Sequence, residues 1–244
     1  MALSKIKKHS VTDEMIKRIA SRSVGVSPSW LSSVMEMANR IAIKENSVLD
    51  DNALDEAYET VVHGSKKEWG IEYLERVARH EAGHALMNYL SGNTPIYLTI
   101  IARGDHGGYM EHSTEESGPL MTKRELLNRI RTALGGRAAE LVYYGAEEGL
   151  STGASGDLRS ATRIAVAMIQ SYGMDSDYGL YVGEAASVDN SEVKAKITAL
   201  LATELDKAME SIAANRQRID RLVEQLLKKN KLTANEIEAC LQQE

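Results

Sequence analysis

The chain has 244 residues, of which 43% are hydrophobic, and it carries a formal net charge of −6. This composition is sufficient for the core of one large domain or of two smaller ones. The negative charge gives no indication of nucleic-acid binding, and the single cysteine excludes a disulfide within the chain. Because no apolar run reaches the roughly 18 residues of a membrane span, we expect a soluble chain.

The N-terminal part of the chain predicts a small helical unit. Apolar residues at helical spacing, with turn residues between them, predict three helices, over residues 11–23, 31–46 and 50–64. The polar stretch that follows, residues 65–70, has the composition of a hinge. We therefore predict a helical unit over residues 1–66 and a second domain over residues 67–244.

The second domain is predicted to be mostly α-helical, with a small β-sheet or hairpin. Residues 96–102, IYLTIIA, are rich in β-branched side chains and predict a strand. A glycine-rich connector follows, so residues 109–112 are expected to return as a second short strand. Further helices are expected over residues 71–92, 122–144 and 156–172, as a pair over 191–229, and within 232–243.

The first helix of this domain carries the sequence HEAGH at residues 80–84. A helix advances about 100° per residue, so His80, Glu81 and His84 lie on one arc of its surface. Two imidazoles one turn apart can converge on one metal ion at about 2 Å. Glu81 can then reach a water molecule at the same ion. The spacing therefore predicts a metal site with two neutral ligands and a base.

An ordinary helix that carries polar residues is the alternative to a metal site. Burial of three polar groups on one arc costs several kcal/mol unless they are paired, and this cost favours the metal. Gly83 is a feature of the helix itself, since a glycine inside a helix costs about 1 kcal/mol relative to alanine. We expect another segment of the chain to approach the helix closely at Gly83.

Two histidines leave a catalytic zinc ion without its usual third protein ligand. On spacing alone, the candidates are His106, Glu111, His112, Glu140 and Asp157. Asp157 follows a stretch of small residues at the start of a predicted helix, where the helix dipole favours a carboxylate. A helix N-terminal acid without any metal explains Asp157 equally well, so the local sequence leaves the choice open.

Five segments of the second domain resemble the FtsH-type membrane-associated ATP-dependent zinc metalloproteases. They occur in the order and spacing of that family over residues 71–239, and they are HEAGHAL, LTIIARG, LMTKRELLNRIRTALGGRAAELV, STGASGDLRSAT and YGMDSDYG. The resemblance implies a zincin-like metallopeptidase domain in which His80, His84 and Asp157 bind Zn²⁺. It also implies that Glu81 is the catalytic base.

The family resemblance extends to the N-terminal unit and to the biology of the chain. Residues 11–64 resemble the last helices of an AAA ATPase lid subdomain, although SPSW replaces the usual SGAD. The chain contains no G-x-x-x-x-G-K-[ST] phosphate loop, so we expect either a fragment of a longer protease or a naturally shortened relative, without the ATPase core and the membrane anchor. We favour the fragment. The resemblance implies a homohexamer that degrades unfolded or damaged proteins in the cytoplasm, or in the matrix or stroma of an organelle. Where this chain has Gly156, the family usually has asparagine.

The strand predicted over residues 96–102 suggests a way to bind a polypeptide substrate. An unpaired strand edge beside the zinc, at Thr99, Ile100 and Ile101, would bind an extended chain through main-chain hydrogen bonds. Gly107 and Gly108 would allow a close approach of backbone to backbone. A hairpin that only covers the core is the alternative.

Residues 134–145, LGGRAAELVYYG, are predicted to pack against the helix that carries the histidines. Within them, Arg137 and Glu140 would either orient a histidine or form an ion pair on the surface, and we favour the ion pair. Two other functions compete with the peptidase. One is a non-catalytic partner subunit that contains zinc, and the other is a helical interaction domain in which the HEAGH sequence is accidental.

Overall fold

The computed structural model describes residues 9–23, 27–104, 107–112, 120–176 and 191–242. The chain forms two compact units, Met1–Glu68 with Ile101–His106, and Trp69–Ile100 with Gly107–Glu244. The units differ from the two continuous ranges predicted, because the short segment Ile101–His106 groups with the first unit. Among the described residues, no helix is both long and apolar enough to cross a membrane.

The first unit contains the three predicted helices, α1 (Asp13–Arg22), α2 (Pro28–Lys44) and α3 (Asp51–His63). The hydroxyl of Thr12 caps α1, and the carboxylate of Asp50 caps α3. Arg103, in the segment Ile101–His106, is 1% exposed and donates hydrogen bonds to Glu56 (2.8 Å) and to the carbonyl of Gly64 (3.1 Å). These contacts with α3 and its end explain why the segment belongs to the first unit.

The second unit confirms the predicted fold class, which is mostly α with a small sheet. Its elements in chain order are α4 (Ile71–Leu90), β1 (Pro95–Thr99), β2 (Tyr109–His112), α5 (Lys123–Glu148), a 3₁₀ turn (Thr152–Ala154), α6 (Ser155–Gln170), α7 (Ser191–Ala214), α8 (Arg216–Lys229), β3 (Lys231–Thr233) and α9 (Ala234–Gln242). Its main core is formed by α4, β1, α8 and α9 with parts of α5 and α7, and it includes Leu86, Leu98, Ile212 and Leu226.

The sheet corrects the predicted substrate edge. Its strand order is β2-β1-β3 and both pairings are antiparallel, so β1 is the central strand and Tyr97–Thr99 are paired on both sides. The Ile100 amide donates to the carbonyl of Asn230 at 3.0 Å. The expectation of an unpaired edge is therefore wrong at Thr99, and it stays a prediction at Ile100 and Ile101. Ile101 lies beyond the end of β1, in the segment that belongs to the first unit.

The close approach expected at Gly83 is confirmed. A Cβ built on Gly83 would lie 2.3 Å from the carbonyl oxygen of Gly135 on α5, and one built on Gly135 would lie 2.7 Å from the carbonyl oxygen of Gly83. Two glycines therefore let the backbones of α4 and α5 touch, as residues with side chains could not. This contact fixes α5 against the middle of α4, where the histidines lie.

Candidate metal centre and active site

The site is built from the middle of α4 and the first turn of α6. His80, Glu81 and His84 lie on α4, where Glu81 is 7% and His84 8% exposed. Asp157 lies in the first turn of α6, directly after the 3₁₀ turn that Ser151 caps. Charged and polar side chains are rarely buried to this extent unless they are paired.

Three ligand atoms converge between these two helices. The Nε2 atoms of His80 and His84 are 3.1 Å apart, and they lie 3.2 Å and 3.4 Å from Oδ2 of Asp157. Ligand atoms at the corners of a tetrahedron around zinc, each about 2 Å from the ion, are about 3.3 Å from one another. The spacing of the three atoms is therefore that of three corners of a zinc tetrahedron.

The hydrogen bonds on the far side of each imidazole fix its tautomer. Nδ1 of His84 lies 2.7 Å from the carbonyl oxygen of Thr132, which can only accept, so Nδ1 carries the proton. Nδ1 of His80 donates in the same way to Oε1 of Glu140 at 2.7 Å. In both neutral imidazoles Nε2 is then a lone-pair acceptor. Three acceptors within 3.4 Å repel one another unless a cation lies between them, and this donor set fits a metal ion.

The electrostatics of the metal-free site also favour positive charge at its centre. Burial acts to lower the pKa of His80, but hydrogen bonds to Asp157 and Glu140 outweigh burial and raise this pKa to about 10. For Asp157, burial acts to raise the pKa, but the hydrogen bonds with His80 and His84 hold it well below its usual range. A proton at the centre and a metal cation would satisfy the same surrounding groups.

Glu140 orients His80 and does not form the surface ion pair that we favoured from the sequence. Glu140 is 2% exposed, and besides the His80 proton it accepts hydrogen bonds from Arg76 (2.9 Å) and from the hydroxyl of Ser151 (2.9 Å). Burial acts to raise its pKa, but the contacts with His80 and Ser151 lower it. The ionised carboxylate of Glu140 therefore lies against Nδ1 of His80. Of the two predicted roles of Glu140, the orientation of a histidine agrees with the structure.

Glycines bring two further segments against the site. A Cβ on Gly136 would lie 2.4 Å from Nε2 of His80, so only glycine leaves room for this imidazole. A Cβ on Gly108 would lie 2.5 Å from the carbonyl oxygen of Thr99 and 3.0 Å from Cγ of Glu81. Gly108, which directly precedes β2, therefore passes beside the predicted base.

The structure brings together some of the residues predicted from the sequence and separates others. His80, His84 and Asp157 form one group whose ligand atoms could hold a metal ion, and Glu140 lies behind His80. Glu111 and His112 lie in β2, and His106 lies outside the described residues. A Cβ on Gly156 has no atom within 4 Å, so the position where the family usually has asparagine has room for that side chain.

Several residues that shape the site were not predicted. They are Arg76 and Ser151, which hold Glu140, Thr132, which holds His84, and Gly136, which makes room for His80. Gly136 had a visible signal, since Gly135 and Gly136 lie together inside a helix, where each costs about 1 kcal/mol relative to alanine. The other three act through contacts between distant parts of the chain, which spacing along the sequence does not reveal.

Comparison with known proteins identifies the family of this chain. The chain is 33% identical to the ATP-dependent zinc metalloprotease FtsH of Mycoplasmopsis pulmonis, over 91% of this chain and 33% of that protein. It is 40% identical to the FtsH of Mycoplasma pneumoniae, over 86% of this chain and 32% of that protein. It thus spans about a third of the length of these relatives. Residues 72–240 match the model of peptidase family M41, and the chain therefore belongs to peptidase family M41.

Proposed function

We propose that this chain is the proteolytic part of an ATP-dependent zinc metalloprotease and hydrolyses peptide bonds in unfolded or damaged proteins. The observation that carries the proposal is the convergence of three acceptor atoms, from His80, His84 and Asp157, with the spacing of a zinc tetrahedron. Membership of family M41 and the zinc metalloproteases among the relatives support zinc as the metal.

The sequence His-Glu-x-x-His supplies the base as well as two of the ligands. When bound, zinc would acidify a water molecule and polarise the scissile carbonyl. Glu81 takes a proton from the attacking water as the water oxygen bonds to the carbonyl carbon. Glu81 then gives the proton to the leaving amine nitrogen as the C–N bond breaks. Its position beside His80 on α4, at 7% exposure, keeps bulk water away from this transfer.

The residues around the ligands hold them ready for the metal. The Glu140 carboxylate and the Thr132 carbonyl keep the outer nitrogens of His80 and His84 protonated, so both inner nitrogens present lone pairs. With one ligand carboxylate and two neutral imidazoles around Zn²⁺, the centre would keep a net positive charge. That charge is what a zinc peptidase needs to acidify water.

The outer strand β2 is the element that we propose to bind the substrate. It is an outer strand of the described sheet, and Gly108 at its start lies beside Glu81. An extended polypeptide that adds to β2 as a further strand would pass the base through main-chain contacts that ignore side-chain identity. Gly107 and Gly108 allow the chain before β2 to lie close to α4. On its other edge β2 pairs with β1.

The chain is expected to work as part of a larger assembly. The names of the relatives specify ATP-dependent proteolysis, so we propose that a motor in the same polypeptide unfolds substrates and feeds them to this unit. By the family resemblance we also propose a homohexamer, on the cytoplasmic side of a membrane or in an organellar matrix or stroma.

The test is cleavage of casein or a fluorogenic peptide, with zinc quantified in the same sample, for the wild type and Glu81→Gln. We expect the wild type to cut and Glu81→Gln to bind zinc without cutting. A wild type that binds zinc but never cuts would contradict the peptidase proposal and favour a non-catalytic partner subunit. Absence of zinc from both proteins would contradict the ligand assignment and favour a helical interaction domain.

A further inference from the structure

An aromatic pair lies at the start of α4, in the same unit as the metal centre. The rings of Trp69 and Tyr73 meet edge to face, with centroids 3.9 Å apart and planes at 80°. Tyr73 is nevertheless 50% exposed. The pair therefore presents an apolar surface to solvent, in which the Tyr73 ring contacts Trp69 and is half exposed.

The aromatic pair is continuous with the predicted base. Tyr73, Val77 and Glu81 follow one another at intervals of four residues, so they lie along one side of α4. A Cβ on Gly107 would contact Trp69 at 3.0 Å and Val77 at 3.1 Å. A Cβ on the next residue, Gly108, would contact Val77 at 2.9 Å and Glu81 at 3.0 Å. Gly107 and Gly108, the two residues before β2, thus lie against the aromatic pair and against the predicted base, respectively.

We propose that Trp69 and Tyr73 form a specificity subsite that accepts an apolar side chain of the polypeptide substrate. The inference rests on the proposed function, because the occupant is the chain that adds to β2. Partly exposed tryptophan and tyrosine are the residues that most often anchor a bound chain. Core packing explains why Trp69 lies against Gly107, but it does not explain why Tyr73 meets Trp69 edge to face and keeps half of its surface exposed.

The position of the subsite follows from the length of α4 between Tyr73 and Glu81. Eight residues of helix rise about 12 Å, and an extended peptide covers this distance in three or four residues at about 3.3 Å each. The side chain that meets the aromatic pair is therefore the third or fourth residue from the scissile bond, on one side of it.

The first experiment measures cleavage of peptides in which each position within about four residues of the scissile bond is changed in turn from leucine to serine. We expect about a tenfold loss of kcat/KM at the third or fourth position on one side. In Tyr73→Ala, the ratio of kcat/KM for the leucine peptide to kcat/KM for the serine peptide should fall close to one. In Tyr73→Phe, this ratio should stay as in the wild type. Tyr172 is 57% exposed and lies just after the C-terminal end of α6, so Tyr172→Ala is the matched control and should behave as wild type. An unchanged ratio in Tyr73→Ala would overturn the inference.

The second experiment measures binding without cleavage, so that it stands even if the wild type does not cut. Zinc-loaded Glu81→Gln with Trp30→Phe has Trp69 as its one tryptophan. We expect the leucine peptide to change the emission of Trp69 and to bind about tenfold more tightly than the serine peptide. Adding Tyr73→Ala should remove that difference. If both peptides bind equally, or if Tyr73→Ala changes nothing, the subsite is contradicted regardless of cleavage.

Discussion

Glu140 decides which nitrogen of His80 faces the metal centre. Its carboxylate accepts the Nδ1 proton at 2.7 Å, and Arg76 and Ser151 hold it from the other side. A histidine with no such partner would divide its population between two tautomers, and one of these turns a proton toward the ligand site. In the proposed site, the buried carboxylate would therefore leave Nε2 of His80 unprotonated and able to bind the metal.

Loss of the Glu140 charge should weaken metal binding. Glu140→Gln keeps an oxygen acceptor for His80 but removes the negative charge that makes the imidazole more basic. We expect a loss of roughly tenfold to a hundredfold in zinc affinity, measured by competition with a chromophoric chelator. Glu147→Gln, at an exposed position on the same helix, is the control. Equal zinc affinity in the Glu140 and Glu147 variants would contradict the orienting role.

The absence of a side chain at Gly136 is a second condition for His80. In Gly136→Ala the new methyl group would lie 2.4 Å from Nε2 of His80, so the imidazole must rotate away from Asp157. We expect zinc binding to fall by more than tenfold, while the far-ultraviolet circular dichroism stays that of the wild type. Gly70→Ala has open space around its Cβ and serves as the control. Normal zinc binding by Gly136→Ala would show that His80 can act from another position.

The contact between α4 and α5 positions these residues at the scale of elements. Gly83 and Gly135 allow the two backbones to touch, and the same contact brings Gly136 and Glu140 of α5 against His80 of α4. Because both residues lie on α5, a shift of that helix would move the orienting carboxylate and the space around the imidazole together. The geometry of the site thus depends on two glycines that contact no ligand atom themselves.

We expect Gly83→Ala to destabilise the second unit although alanine favours helix. The new Cβ would lie 2.3 Å from the Gly135 carbonyl oxygen, and overpacking of this kind costs about 1–3 kcal/mol. The higher helix propensity of alanine offsets at most about 1 kcal/mol of this cost. Urea unfolding followed by Trp69 fluorescence measures the difference, with Gly70→Ala as the control. A Gly83→Ala protein as stable as wild type would mean that α5 moves away at little cost.

The sequence predicted what depends on local spacing and failed where distant segments meet. The histidine spacing on α4, the close approach at Gly83 and the start of α6 at Asp157 all follow from a few neighbouring residues. Strand β3 was missed, because its three residues precede a helix and pair only with the remote β1. For the same reason Glu140 was expected on the surface. Two of its three partners, His80 and Arg76, are 60 and 64 residues away along the chain.

At the scale of the whole molecule, the chain leaves the second unit after Ile100 and returns to it at Gly107. Between these points Arg103 enters the first unit, where it is fully buried and pairs with Glu56 and Glu59. A buried guanidinium is tolerated only when its hydrogen bonds and its charge are satisfied. The first unit therefore needs a residue that lies in the sequence between two strands of the second.

Replacement of Arg103 should unfold the first unit more easily. Arg103→Ala removes a partner of Glu56 at 2.8 Å and one of the partners of the buried Glu59, which keeps Arg22 at 2.8 Å. Loss of one partner of a buried pair costs at most about 3–5 kcal/mol. Trp30 lies in the first unit and Trp69 in the second, so single-tryptophan variants report the urea midpoint of each. In Arg103→Ala we expect the unfolding transition reported by Trp30 to have a lower urea midpoint than in the wild type. Arg40 is exposed, so Arg40→Ala is the control. An unchanged Trp30 midpoint would contradict the structural role of Arg103.

The excursion of Ile101–His106 has a consequence for how such a protein can evolve. A recombination event at the boundary after Glu68 would give each product an incomplete partner. One product would carry Glu56 and Glu59 without their arginine, and the other would carry that arginine on a strand connector without acceptors. Neither product would contain both Arg103 and its acceptors, so we expect exchange at this point to destabilise the first unit. We expect the two units to have been inherited together, with the pairing of Arg103 and α3 preserved as one trait.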